Sequence, residues 1–449
     1  MKDDRRRFVS TMLRLAVPYA AQQLVISALG MVEVGMLGQL GETAVAAAGL
    51  AKQISFLLSL FLFGLSTGAA VFTAQFWGQG DLKGIHRVMG ISLVLSLGAS
   101  LLFAVPSIVF PRTVLGIYSR DPAVVAQGGD YLWVVALSFG ASAIVYTYSA
   151  ALRSVGHVRL PVAAGVVAMG VNLLLDYALL FGRWGLPALG VQGVGIATCA
   201  ARFLECGLLL LGTYALRTPV AVRLAALFSW GRGFFRPFFR TALPVLLTEV
   251  LWSLGVTAYN LVYARIGTDA YAAFSICGTI EGVAFVPFLG LANACAIMLG
   301  NQIGAGRDEE AMVGARRFLL IAVVGAAATG AVMALARDAF LSYFQISTVA
   351  HEYARRILLV LAAAQVAKMI NLTSLVGVLR SGGDTRVGFL IDAGAMWAIG
   401  VPLAVVGAFV LRLPIHWVVA LAMADEVTKV AVGLPRVFSR RWIHHVGER

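Results

Sequence analysis

Apolar and polar positions along this chain separate into long blocks rather than alternating residue by residue. Apolar runs fall at about 11–38, 44–76, 87–110, 124–151, 160–181 and 191–216. Six more follow at about 240–265, 270–301, 312–336, 353–379, 387–411 and 415–437. At about 1.5 Å per residue, each can cross the roughly 30 Å of hydrocarbon in a bilayer as a helix. The runs at 44–76 and 270–301 are longer, so they tilt or project into water. The short alternating segments of a membrane β-barrel are absent. The pattern predicts an all-α membrane protein of twelve transmembrane helices.

The chain also repeats itself. Shifted by 226 positions without a gap, Arg14 meets Arg240, Pro18 meets Pro244, Gly41 meets Gly267 and Gly78 meets Gly304. Between Arg14 and Gly80, 14 of 67 pairs are identical, where a composition this rich in Ala, Leu, Val and Gly gives roughly six by chance. Leu152-Arg153-Ser154-Val155-Gly156 is answered by Leu379-Arg380-Ser381-Gly382-Gly383. Proline and glycine dictate bends and close approaches, so shared positions imply shared backbone shape. The expected organisation is an N-terminal six-helix lobe at 1–220, a linker at 221–239 and a C-terminal six-helix lobe at 240–449. Six spans per half bring both halves in from the same face, as two pseudo-symmetric bundles around a central cavity. Of the 35 Lys and Arg, 22 fall on the side holding both termini and 8 on the other, which predicts cytoplasmic termini.

Composition sharpens the picture. The chain is 60% hydrophobic and 13% charged, more apolar surface than a soluble protein of 449 residues can hide. The net charge of +13 sits in loops and termini without a basic helix face, so it serves membrane orientation rather than nucleic acid. Lipid is the expected surroundings and a monomer the expected state. The basic start, Met1 to Arg7, runs into an apolar stretch with no A-x-A-like site, and reads as leading an uncleaved first span. Cys199, Cys206, Cys277 and Cys295 lie in apolar segments without metal-ligand spacing and read as inert small core residues. No phosphate-binding GxxxxGK[ST], HExxH, GxSxG or CxxC occurs, so neither an ATP-driven pump nor an enzyme is expected. All six histidines fall in loops or at span ends, which leaves no intramembrane histidine relay and makes an ion gradient the natural driver.

Carboxylates inside spans then carry the chemistry. One at the bilayer centre costs about 2.5–3.5 kcal/mol on insertion scales, so each needs a reason. Glu33 lies fifteen residues after Pro18; Asn172 and Asp176, at i and i+4, share a helix face; Thr198 adds a hydroxyl. Together they predict a site for a proton or a sodium ion, with sodium held by Glu33, Asn172 and Asp176. In the seventh run, Glu249, Trp252, Val256, Tyr259 and Tyr263 form one helical stripe, and Glu249 and Tyr259 stand where the first half has Gln23 and Glu33. An acid lined with aromatics suits a large organic cation, so Gln23, Glu249, Trp252 and Tyr259 are the expected substrate contacts. The alternative for Glu249 is a structural pair with a base such as Lys368. Lys52, Arg202 with Glu205, Glu281, Lys368, Asp392, and Asp425 and Glu426 with Lys429 are read as charges neutralised within their own helices.

These residues resemble the multidrug and toxic compound extrusion (MATE) transporters along essentially the whole chain. The likeness rests on Met31-Val-Glu-Val-Gly-Met-Leu-Gly-Gln-Leu-Gly41, Val71-Phe-Thr-Ala-Gln-Phe-Trp-Gly-Gln-Gly80 and Gly300-Asn-Gln-Ile-Gly-Ala-Gly306. Leu152-Arg-Ser-Val-Gly156 and Asn172-Leu-Leu-Leu-Asp-Tyr-Ala-Leu-Leu-Phe-Gly182 complete it. The resemblance implies an antiporter of the cytoplasmic membrane that needs no cofactor and exports amphipathic cations against inward proton or sodium flow. It maps ion coupling onto Glu33, Asn172 and Asp176, with Thr198 matching less closely, and substrate binding onto Glu249. The family's first-helix acid is usually Asp, one methylene shorter than Glu33. One subgroup carries a further acid where this chain reads Lys368-Met369-Ile370-Asn371, so coupling is expected in the N-terminal half. A flippase for lipid-linked saccharides, from the same superfamily, is the alternative; its diphosphate would need inward cations, for which only Lys52, Arg202 and Lys368 are candidates.

Overall fold

A computed structural model describes residues 2–222, 227 and 232–445, and every regular element among them is helical. The long helices are α1 (Lys2–Gly38), α2 (Glu42–Gln79), α3 (Leu82–Val109), α4 (Pro122–Ala136), α5 (Phe139–Ser154), α6 (Arg159–Phe181) and α7 (Gly190–Ala215). After them come α8 (Arg232–Ile266), α9 (Thr268–Gly304), α10 (Asp308–Leu335), α11 (Thr348–Asn371), α12 (Thr385–Ala395), α13 (Ile415–Ala422) and α14 (Ala424–Phe438). π-helical turns extend α11 over Leu372–Leu379 and α12 over Met396–Gly400. Of the expected linker, residues 223–226 and 228–231 lie outside the described residues.

Among the described residues, ten helices are long and apolar enough to span a bilayer, and eleven when α4 and α5, bent by 51° at their junction, count as one. This is a multi-span helical membrane protein. The difference from twelve lies in the last run. There α13 and α14 break at Met423, so neither is long enough alone, and α14 carries four charged residues, Asp425, Glu426, Lys429 and Arg436.

Two compact units emerge. One holds residues 21–73 and 81–242; the other holds 1–20, 74–80 and 243–449. Two short segments therefore belong with the opposite half of the sequence, and each is tied there by specific contacts. Phe8 sets its ring edge-on to Phe318 at 5.0 Å. Gln75, fully buried, donates from Nε2 to the carbonyls of Ser381 at 2.9 Å and His444 at 3.1 Å. The glycines shared between the repeats explain how these backbones approach. A Cβ on Gly304 would stand 2.0 Å from the Gln75 carbonyl oxygen, and one on Gly78 would stand 2.1 Å from that of Asn301. Each unit has its own apolar core. In the first, Ala48, Ala51, Leu58 and Leu62 of α2 pack with Tyr131, Leu132 and Phe139; in the second, Tyr263, Cys277, Ile357, Leu358 and Val418 do. Cys206, Cys277 and Cys295 are buried free thiols, and Cys199 is partly buried.

Candidate functional site

Within the 21–73/81–242 unit, α1, α2 and α4 to α7 surround a cavity of about 370 Å³. Its wall follows from helical spacing. On α1, Met31, Val32 and Val34 are exposed apolar residues, while Glu33 between them turns inward with its side chain 17% exposed. On α2, Ala51, Ile54 and Leu58 fill the core, and the neighbouring face presents Lys52, Ser55 and Ser59 to the cavity. On α6, Asn172 and Asp176 stand one turn apart, with Asp176 only 1% exposed. On α7, Thr198, Arg202 and Glu205 recur at i, i+4 and i+7 along one stripe. Gly165 of α6 makes room for this wall: a Cβ there would collide with Gln22 Nε2 at 2.4 Å and approach Glu205 Oε1 at 3.3 Å.

Glu33, Asn172, Asp176 and Thr198 thus line one cavity, although Glu33 comes from the first helix and the others from the consecutive pair α6 and α7. The electrostatics differ from a bare pair of acids. Lys52 Nζ lies 2.8 Å from Glu33 Oε1, and Arg202 NH1 lies 2.7 Å from Glu205 Oε2. Asp176 has no such pair; its Oδ1 is buried without a hydrogen-bond partner, as is Nδ2 of Asn172. Tyr131, almost wholly buried, hydrogen-bonds Thr198, so the threonine is held by a tyrosine from α4. A buried carboxylate oxygen and a buried amide left unpaired are costly in a membrane interior, and a small cation or proton is the kind of ligand that relieves the carboxylate. Among the described residues no cluster of three or more His, Cys, Asp or Glu is arranged to hold a metal ion.

The residues expected to meet the substrate fare differently. Gln22, rather than Gln23, lines the cavity. Glu249 is paired, as its structural alternative supposed, but with Arg380 at 2.8 Å and not with Lys368, which instead bonds Glu281 at 2.5 Å. Trp252 is 46% exposed. Tyr259 sits in the core of its unit, stacked on Tyr263 at 6.2 Å with its hydroxyl donating to Asp425 at 3.4 Å.

Several charges read as neutralised within one helix prove to bridge helices. Lys52 of α2 answers Glu33 of α1, and Lys368 of α11 answers Glu281 of α9. Lys429 meets Asp425 at 3.3 Å and Glu426 at 3.2 Å on its own helix, but also Asp392 of α12 at 2.9 Å. Arg202–Glu205 alone of these groups stays wholly within one helix. The signal was there for Lys52 and Glu33. They flank the Gln39–Gly41 turn between two consecutive helices, and an acid and a base on either arm of a hairpin can meet across it.

A family model described as MatE matches residues 18–178 and 244–406, more than half of the chain. The two matches begin at Pro18 and Pro244, the same 226-residue offset as the internal repeat. A probable multidrug resistance protein NorM of Bradyrhizobium diazoefficiens is 31% identical, over 90% of this chain and 87% of its own length. The multidrug resistance protein PmpM of Pseudomonas aeruginosa is 25% identical, over 89% of this chain and 83% of its own length. Among solved structures, a crystal structure of MATE in the bent conformation superposes with a TM-score of 0.87 at 20% identity, covering 97% of this chain and 96% of that one.

Proposed function

We propose that this chain, which belongs to the MatE family, is a multidrug efflux antiporter of the cytoplasmic membrane that exports amphipathic organic cations in exchange for an inward-moving proton or sodium ion. The observation that carries the reading is Asp176: a carboxylate 1% exposed, with one oxygen unpaired, at the wall of a cavity large enough for water and ions. In this reading Asp176 takes the ion, Asn172 lies one turn away to bind beside it, and Tyr131 fixes Thr198 in the wall of the same cavity. Binding changes the charge of the cavity, and α1, which carries both Glu33 and Pro18, transmits the change by bending. Trp252 offers a half-exposed ring for a flat cation.

The saccharide flippase finds less support. A lipid diphosphate needs free inward cations, yet Lys52, Arg202 and Lys368 are each ion-paired with a glutamate. The test is transport of ethidium in vesicles reconstituted with the protein, with inward proton and inward sodium gradients imposed in turn. One of the two gradients should drive ethidium movement and identify the ion. Movement that ignores both gradients overturns the antiport reading.

A further inference from the structure

The cavity of the 21–73/81–242 unit holds more charge than the exchange reading needs. Facing it are Glu33 from α1, Lys52 from α2, Tyr131 from α4, Tyr146 from α5, Asp176 from α6, and Arg202 and Glu205 from α7. Three carboxylates confront two permanent cations. Two of the carboxylates are matched at contact distance, Glu33 by Lys52 at 2.8 Å and Glu205 by Arg202 at 2.7 Å. The surplus is one negative charge, and it falls on Asp176: the buried oxygens of Glu33 and Asp176 both lack a hydrogen bond, but only that of Glu33 has an ammonium at contact distance. Lys52 is the unusual member. Its side chain, 34% exposed, ends at Glu33 on another helix, whereas the Arg202–Glu205 pair closes within one helix. An ammonium at that distance from a carboxylate is what a bound monovalent cation would be.

We infer that Lys52 is a resident cation of the coupling site: it occupies the place beside Glu33, withdraws that acid from exchange, and leaves room for one monovalent ion per turnover, at Asp176. The inference rests on the antiport reading above and adds a specificity-determining residue and a stoichiometry to it. Two acids facing one cavity would otherwise admit two ions, because an uncompensated charge inside a membrane protein is costly and each would draw its own partner. With Lys52 in place, only one remains to be drawn.

Reversal-potential measurements on reconstituted vesicles test this. Ethidium is held at a fixed ratio across the membrane, and the ion gradient that stops net flux gives the number of ions exchanged per ethidium. The wild type and Lys52→Arg should both exchange one. Lys52→Met, which frees Glu33, should exchange two, and adding Glu33→Gln to it should return the number to one. If Lys52→Met folds poorly, Glu33→Gln alone carries the test. It leaves the ammonium without Glu33 in the cavity that Asp176 also faces, where it neutralises that acid, and the number should fall to zero. A value of one in Lys52→Met, or in Glu33→Gln, overturns the role assigned to Lys52. Ethidium flux in the wild type that no ion gradient influences would instead overturn the antiport reading.

Discussion

Exchanging Asp176 for asparagine removes the driving force from export while leaving the fold in place. Exchange of one monovalent ion for one ethidium moves no net charge, so an imposed tenfold ion gradient, worth about 1.4 kcal/mol, supports roughly tenfold accumulation of ethidium. In Asp176→Asn that ratio should fall to about one, because an amide neither takes a proton nor binds a cation as a carboxylate does. The fold should survive, since the buried atom being replaced makes no hydrogen bond that the fold uses and asparagine has nearly the same shape. Steady-state ethidium accumulation in vesicles, read beside the thermal unfolding of the purified variant, separates the two effects. Gradient-driven accumulation that persists in Asp176→Asn would remove this acid from the exchange.

The second large effect is on stability. Lys429 is 3% exposed and holds three carboxylates, Asp392 of α12 and Asp425 and Glu426 of its own helix. Around it, Asn371 donates to both the side chain and the backbone carbonyl of Glu426, and Tyr259 donates to Asp425. Removing one member of a buried ion network strands the rest, at a cost of about 3–5 kcal/mol. Lys429→Met should therefore lower the unfolding free energy by that amount, and Asp425→Asn added to it should recover part of the loss. Arg356→Ala is the contrast. Its pair with Glu352 is half-exposed and lies one turn along a single helix, so its loss should cost about 0.5 kcal/mol or less. Denaturant unfolding in detergent reads all three. Equal, small losses for Lys429→Met and Arg356→Ala would show that the cluster does not hold α12 and α14 together.

The reasons why some features could be read from the chain and others could not are physical. Helix positions follow from runs of twenty or more apolar residues, which have one solution in a bilayer. The repeat was legible because Pro18/Pro244 and Gly78/Gly304 mark backbone constraints that side-chain divergence does not erase. Asp176 and Asn172 were legible together because a spacing of four on one helix already fixes their common face. Lys52 was not. Its partner lies on another helix, and the side chain of a lysine can reach along its own helix or across to a neighbour with equal ease. The same freedom hid Arg380 behind Glu249. The aromatic stripe of α8 misled for a related reason: spacing sets which residues share a face but not what covers it, and at Tyr259 the cover is Gly400, where a Cβ would lie 1.9 Å from the hydroxyl. The expected linker carried too little pattern to say which half its neighbours join. The assignment of 1–20 and 74–80 comes from packing by Phe8 and Gln75, which leaves no periodic trace.

If cargo and ion exchange at Asp176, binding of the one must release the other, and ligand-induced ion release reads this without a membrane. Ethidium is added to the purified protein in weakly buffered detergent solution preloaded with radioactive sodium, and both acidification and displaced sodium are recorded. The account predicts release of one monovalent ion, as proton or as sodium, per ethidium bound to the wild type, and none from Asp176→Asn. Ethidium binding that releases no ion, or that releases the same amount from both proteins, would contradict it.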